Sequence, residues 1–142
     1  MKIALISCTK KKRSYPCAAK EMYEPSSLFT KAVAFVEKKG YDDWFILSAK
    51  YGLLPKDMVI DPYNVTLNQM KAPEIIAWSE KVFQQLKAIH PTEVDFFAGK
   101  KYRHYLIPML ESQGIRCRIP LQGMKIGEQL EFYNKALNEI HS

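Results

Sequence analysis

The sequence predicts a three-layer α/β/α fold around a mainly parallel sheet of about four strands, all within a single domain, residues 1–142. Three observations lead there. Short apolar runs of strand length alternate along the chain with longer stretches whose apolar residues recur at helical spacing. The first run is apolar almost throughout, as in a strand covered on both faces. The connections between strands are long enough to hold crossover helices, which parallel neighbours require.

Lys2 to Ser7 (KIALIS) is that first run, and it belongs at the centre of the sheet. Cys8 to Tyr15 is a polar loop, and Pro16 and Pro25 bracket a short irregular or singly helical piece from Cys17 to Tyr23. Ser26 or Ser27 is suited to cap the next helix, where Leu28, Phe29, Ala32, Val33, Phe35 and Val36 make one face and Gly40 ends it. Trp44 to Leu47 is the second strand. From Leu47 to Leu67 runs a connection rich in ligand-competent side chains, with enough Leu, Val and Ile to be ordered.

Pro73 suits the first turn of a helix reaching Ile89, with Ile75, Ile76, Val82, Phe83, Leu86 and Ile89 inward and Glu80, Lys81, Gln84, Gln85 and Lys87 outward. Val94 to Ala98 is the third strand. The following helix, Lys101 to Gln113, contains Pro108 and must kink or break there, with a new turn starting at the proline. Ile115 to Ile119 alternates apolar and polar, the pattern of a half-exposed edge strand. After a loop from Pro120 to Lys125, a last helix carries Ile126, Leu130, Tyr133, Leu137 and Ile140 at steps of four, three, four and three. That stripe is either core or a dimer seam, so a monomer or homodimer is expected.

Composition narrows the function classes. A formal net charge of +6, from 21 Lys+Arg against 15 Asp+Glu, favours an anionic ligand, nucleotide or nucleic acid. Two basic clusters, Lys10 to Arg13 and Lys100 to His104, each follow a strand. The three cysteines, Cys8, Cys17 and Cys117, are widely spaced and odd in number, which fits free thiols in a reducing compartment. No run approaches a membrane span, and the apolar Ile3 to Ile6 is too short for a signal-peptide core, so a cytoplasmic protein with no membrane partner is expected. Phosphate-loop, dinucleotide-turn, nucleophile-elbow and zinc-helix motifs are absent, and His90, His104 and His141 lack partners at ligand spacing. Neither cofactor nor metal is expected.

In open parallel sheets, ligands bind beyond the strand C-termini. That rule gathers Ser7, Cys8, Thr9 and Lys10, then Ser48, Lys50, Tyr51 and Gly52, then Gly99, Lys101 and Arg103, and the loop after the fourth strand. Lysines there meet phosphate or carboxylate. Tyr51 and Tyr63 offer rings to stack on a base, or they simply cover the sheet edge. Asp61, before Pro62, is a candidate general base or a turn initiator. Cys8 stands beside Lys10 to Lys12, whose ammonium groups favour a thiolate, so it is either a reactive thiol or a small buried residue.

SCTKKK (Ser7 to Lys12), LSAKYGLL (Leu47 to Leu54), IDPYNVTL (Ile60 to Leu67), AGKKYR (Ala98 to Arg103) and GMKIGEQL (Gly123 to Leu130) together resemble the YaaA-like family of small bacterial and phage proteins, labelled after the peroxide stress protein. A fainter similarity runs to the core domain of archaeosine synthase and through it to uracil-DNA glycosylases, with Cys8, Lys12, Ser26, Ser27 and Phe29 as matching positions and no histidine before the Phe. The resemblance implies a stress-response role and a base-binding pocket at the strand ends. The expectation is a protein that binds a nucleotide, nucleobase or nucleic acid there, with hydrolysis or base transfer at a glycosidic bond as the associated chemistry. The alternatives are a non-catalytic nucleic-acid-binding stress protein or a thiol-based peroxide-response protein.

Overall fold

A computed structural model describes residues 1–141, with side chains described through Asn138. Its sheet has five strands rather than four, in the order β4-β3-β1-β6-β7: β1 (Lys2–Ser7), β3 (Asp43–Ser48), β4 (Gly52–Pro55), β6 (Glu93–Phe97) and β7 (Arg116–Arg118). β1 pairs in parallel with β3 (Leu5 opposite Phe45) and with β6 (Leu5 opposite Phe96), and β6 pairs in parallel with β7. The mainly parallel α/β architecture is therefore present. The extra strand is β4, which folds back antiparallel on β3, placing Ser48 opposite Gly52. Antiparallel pairing needs only a short turn, so this strand was hidden inside what reads as a loop.

β1 is central because alternate residues serve two cores. Ala4 and Ile6 pack under α2 (Ser27–Lys38) and α6 (Ile126–His141), while Ile3 and Leu5 pack under α3 (Ala72–Lys87) and α5 (Leu106–Glu111). All four are essentially inaccessible to water. Burying each large aliphatic side chain contributes about 1.5–3 kcal/mol. A second, two-stranded ribbon joins β2 (Cys17–Ala18) to β5 (Val59–Ile60), with the single turn α1 (Ala19–Met22) beside it. This ribbon ties the long connection after β4 to the segment after β1, two regions that sequence reading treats as unrelated loops.

Helix ends follow local chemistry. Ser26 Oγ accepts from Phe29 N–H (3.3 Å) and caps α2, and Gly40 (φ +76°) follows its C-terminal end. The chain past β6 breaks into α4 (Lys100–Arg103) and α5, and the break falls at His104–Tyr105, ahead of Pro108. A proline ring excludes a helical carbonyl four residues earlier, so the break belongs at His104, and Pro108 sits harmlessly in the first turn of α5. Two expectations about faces are corrected. Gln85 is not on a solvated face: its side chain bonds both backbone groups of Leu53, occupying the exposed edge of β4. Ile126 is 64% exposed, so the inward face of α6 begins a turn later and is led by Phe132 and Tyr133 against Phe35. Ile140 lies outside the described side chains.

Candidate functional site

From β1 the chain leaves to one side, towards β3, and from β6 it leaves to the other, towards β7. Their outgoing loops diverge and leave a crevice at the C-terminal ends of β1 and β6, the switch point at which open α/β sheets hold ligands. A cleft of about 880 Å³ lies there. One wall is Ser7, Cys8, Thr9, Lys10 and Lys12; a second is Gly99, Lys100, Lys101 and Tyr102; a third is the segment around Asn64, Thr66 and Asn68. Local bonds hold each wall. Cys8 N–H donates to Leu47 O (3.0 Å), prolonging the β1–β3 ladder, and Thr66 Oγ1 caps the 3₁₀ turn Leu67–Gln69.

Among the described residues, four lysines line the cleft and no carboxylate does. Among the described residues none of Lys10, Lys12, Lys100 and Lys101 forms a salt bridge, although Arg13, Lys20, Lys56, Arg116 and Arg118 each do. Lys12 leans over the Tyr63 ring, 4.6 Å from its centroid, and burial lowers its ammonium below the usual lysine range while Cys8 opposes that shift. Lys101 Nζ reaches Asn68 O at 3.5 Å, bridging two walls. α4 is a single turn, too short for an appreciable helix dipole, so any pull on an anion comes from the lysine side chains rather than from a helix terminus.

Cys8 stands in this cleft with its Sγ 3.5 Å from Tyr102 Oη. Tyr102 packs as expected, edge-on to Trp78, yet its hydroxyl faces the site; burial, then Cys8, raises its phenol well above the usual range, so it stays protonated. Behind Lys12 lies a chain of hydroxyls. Ser48 Oγ donates to Tyr63 Oη (2.9 Å), which is 2.6 Å from Tyr23 Oη. Burial, followed by Cys8 and Tyr23, holds the Tyr63 phenol far above its ordinary value.

Of the residues expected at the site, Ser7, Cys8, Thr9, Lys10, Gly99 and Lys101 come together in the cleft. Arg103 lines an adjoining apolar compartment. Ser48, Lys50, Tyr51 and Gly52 do not join them. They form the β3–β4 hairpin, where Ser48 accepts from Tyr51 N–H, the Tyr51 ring packs at 5.6 Å on Tyr63, and Lys50 points to solvent beside Tyr51. Tyr63 supports Lys12 from behind and does not line the cleft. Asp61 is exposed, lines neither compartment and forms no salt bridge or side-chain hydrogen bond among the described residues, so a water-activating role has no geometric support. Lys12, Lys100, Asn68 and Tyr102 also line the cleft and were not among the expected site residues. For Lys12 and Lys100 there was a signal, the basic runs that follow the first and third apolar strands.

The fold and crevice define an α/β protein with a lysine-lined cleft at its switch point. The chain belongs to DUF6884, described as a family of unknown function, whose profile matches residues 3–135. It is 34% identical over 151 aligned positions to "Uncharacterized protein YfjM" of Bacillus subtilis (strain 168), with 99% of this chain and 97% of that one covered. No solved structure matches it significantly. Among the described residues no helix is long and apolar enough to cross a membrane, and no cluster of side chains is suited to hold a metal ion.

Proposed function

We propose that this protein binds the phosphate of a nucleotide, free or at the end of a nucleic acid, in the cleft between β1 and β6. The observation that supports this is the set of four cleft lysines with no carboxylate and no salt bridge. Ammonium groups drawn together in a concave site repel one another, and a bound anion relieves that repulsion. Asn64, Thr66 and Asn68 supply neutral donors opposite them. With no Asp or Glu lining either compartment among the described residues, binding accounts for the site better than glycosidic hydrolysis driven by a carboxylate base.

Calorimetric titration with nucleoside monophosphates and a 5′-phosphorylated oligonucleotide tests this. Lys12→Gln and Lys101→Gln should each weaken binding about fivefold, roughly 1 kcal/mol, and the affinity should fall with added salt. Asp61→Asn should leave it unchanged. Binding indifferent to both lysine changes would refute the proposal. A second reading draws on the position of Cys8 between Lys12 and Tyr102 and on the YaaA-like resemblance: thiol chemistry in peroxide protection. Cys8→Ser should then abolish consumption of peroxide, and unchanged consumption would rule this reading out.

A further inference from the structure

We infer that the ligand is bipartite, with its phosphate among the cleft lysines, a planar nucleobase in the adjoining apolar compartment, and Arg103 reading the edge of that base. This rests on the phosphate reading above and goes beyond it by assigning the second half of the ligand. The compartment, of about 370 Å³, lies on the opposite side of the same two strand ends and shares Ser7, Cys8, Thr9, Gly99 and Lys100 with the basic cleft. The two are therefore one groove straddling the sheet edge, with the β1 and β6 termini as its saddle. Its chemical character changes across that saddle.

On the far side the walls are Phe29, Phe97, Leu121 and Tyr133, all core residues, with Leu28 and Met124 closing them in. A flat ring inserted there removes apolar area from water at about 25 cal/mol per Å². Arg103 makes the compartment more than a greasy slot. Its Nε donates to Ala98 O (3.2 Å), which fixes the guanidinium at the wall, while its terminal nitrogens have no acceptor among the described residues. A guanidinium fork matches paired ring-nitrogen and carbonyl acceptors on a base edge. An alkyl chain fills the same volume but leaves the fork unpaired, which favours a base over an acyl group.

The test is calorimetry on the full chain with ribose 5-phosphate, AMP, GMP, CMP, UMP and hexyl phosphate. At least one nucleotide should bind tenfold or more tighter than ribose 5-phosphate. Ile126→Trp, at an exposed position bordering the compartment, and Arg103→Met should each erase that gain while leaving the ribose 5-phosphate affinity within twofold, with thermal melts confirming folded protein. Nucleotides that bind no better than ribose 5-phosphate would overturn the bipartite ligand and leave the phosphate site standing. So would a hexyl phosphate that shares the full gain. If no phosphate binds at all, the phosphate site itself fails and this inference falls with it.

Discussion

At the β3–β4 end of the rim, polar side chains are consumed by the fold; at the β1–β6 end, cations are left without acidic partners. The hairpin uses Ser48 to hold Tyr51 N–H and Tyr63, uses Ser48 O to accept from Trp78 Nε1, and lends Leu53 to Gln85. The crevice gathers four lysines and, among the described residues, no carboxylate. Both ends read alike in sequence, since each is a strand followed by Ser or Gly, Lys and Tyr. What separates them is that in the crevice several ammonium groups share one concavity without an acidic partner among the described residues. Bonded polar groups rigidify structure, and cations gathered in a concavity without an acidic partner are the observation on which the proposed phosphate site rests.

The contrast breaks most severely at Gly52. Its φ of +74° disfavours any side chain, and an added Cβ would lie 2.6 Å from Gln85 Oε1. Moving Gln85 aside forfeits its two bonds to Leu53, so Gly52→Ala should destabilise the protein by about 3 kcal/mol, read from urea denaturation. In a Gln85→Ala background the added penalty should drop to roughly 1 kcal/mol, because the collision is gone. Phosphate affinity of the folded fraction should not move.

A smaller loss is expected from Tyr63→Phe. It strands the buried Tyr23 hydroxyl and removes the acceptor of Ser48, costing about 1–2 kcal/mol in the same denaturation experiment. The ring under Lys12 remains, so phosphate affinity should change less than twofold. A large fall in affinity with little loss of stability would move Tyr63 from the structural end of the rim to the binding end.

The smallest effect sharpens the other end. Burial lowers the Lys12 ammonium from its ordinary value of 10.5, so the unfolded chain holds more protons than the folded one between the two values. The Lys12 contribution to stability therefore rises slightly with pH across that window, against the loss caused by the buried phenols of Tyr23, Tyr63 and Tyr102, which hold their protons longer in the folded chain, while phosphate affinity falls as Lys12 loses its charge. Lys12→Arg should remove that opposing contribution, so that stability falls slightly faster with pH than in the unchanged protein, and should carry binding to higher pH, in denaturation and titration series run towards pH 10.5.

The strands and their parallel direction were legible because KIALIS, WFIL and VDFFA are predominantly apolar, and the cap at Ser26 and the stop at Gly40 because those residues have few other uses. That Cys8, Lys10 and Lys101 share one cleft was legible through the rule about strand ends. The β4 strand was not, because its Gly-Leu-Leu-Pro is too short to show a period. Nor was the role of Gln85: an amide on a helix reads as solvated until the strand edge it covers is known. The Tyr51–Gly52 motif looked like a binding loop because a turn demanded by backbone geometry and a turn shaped around a ligand use the same residues.

Hydrophobic periodicity and turn chemistry alone determined a three-layer α/β protein with a basic strand-end rim, since these are local properties of the chain. Which rim residues face one another, and which are already paired, was decided only by the packed structure. The partner of Ser48 is 15 residues away, that of Leu53 is 32 away and that of Cys8 is 94 away. Whether a polar group is satisfied depends on such distant neighbours, and no local pattern in the sequence encodes them.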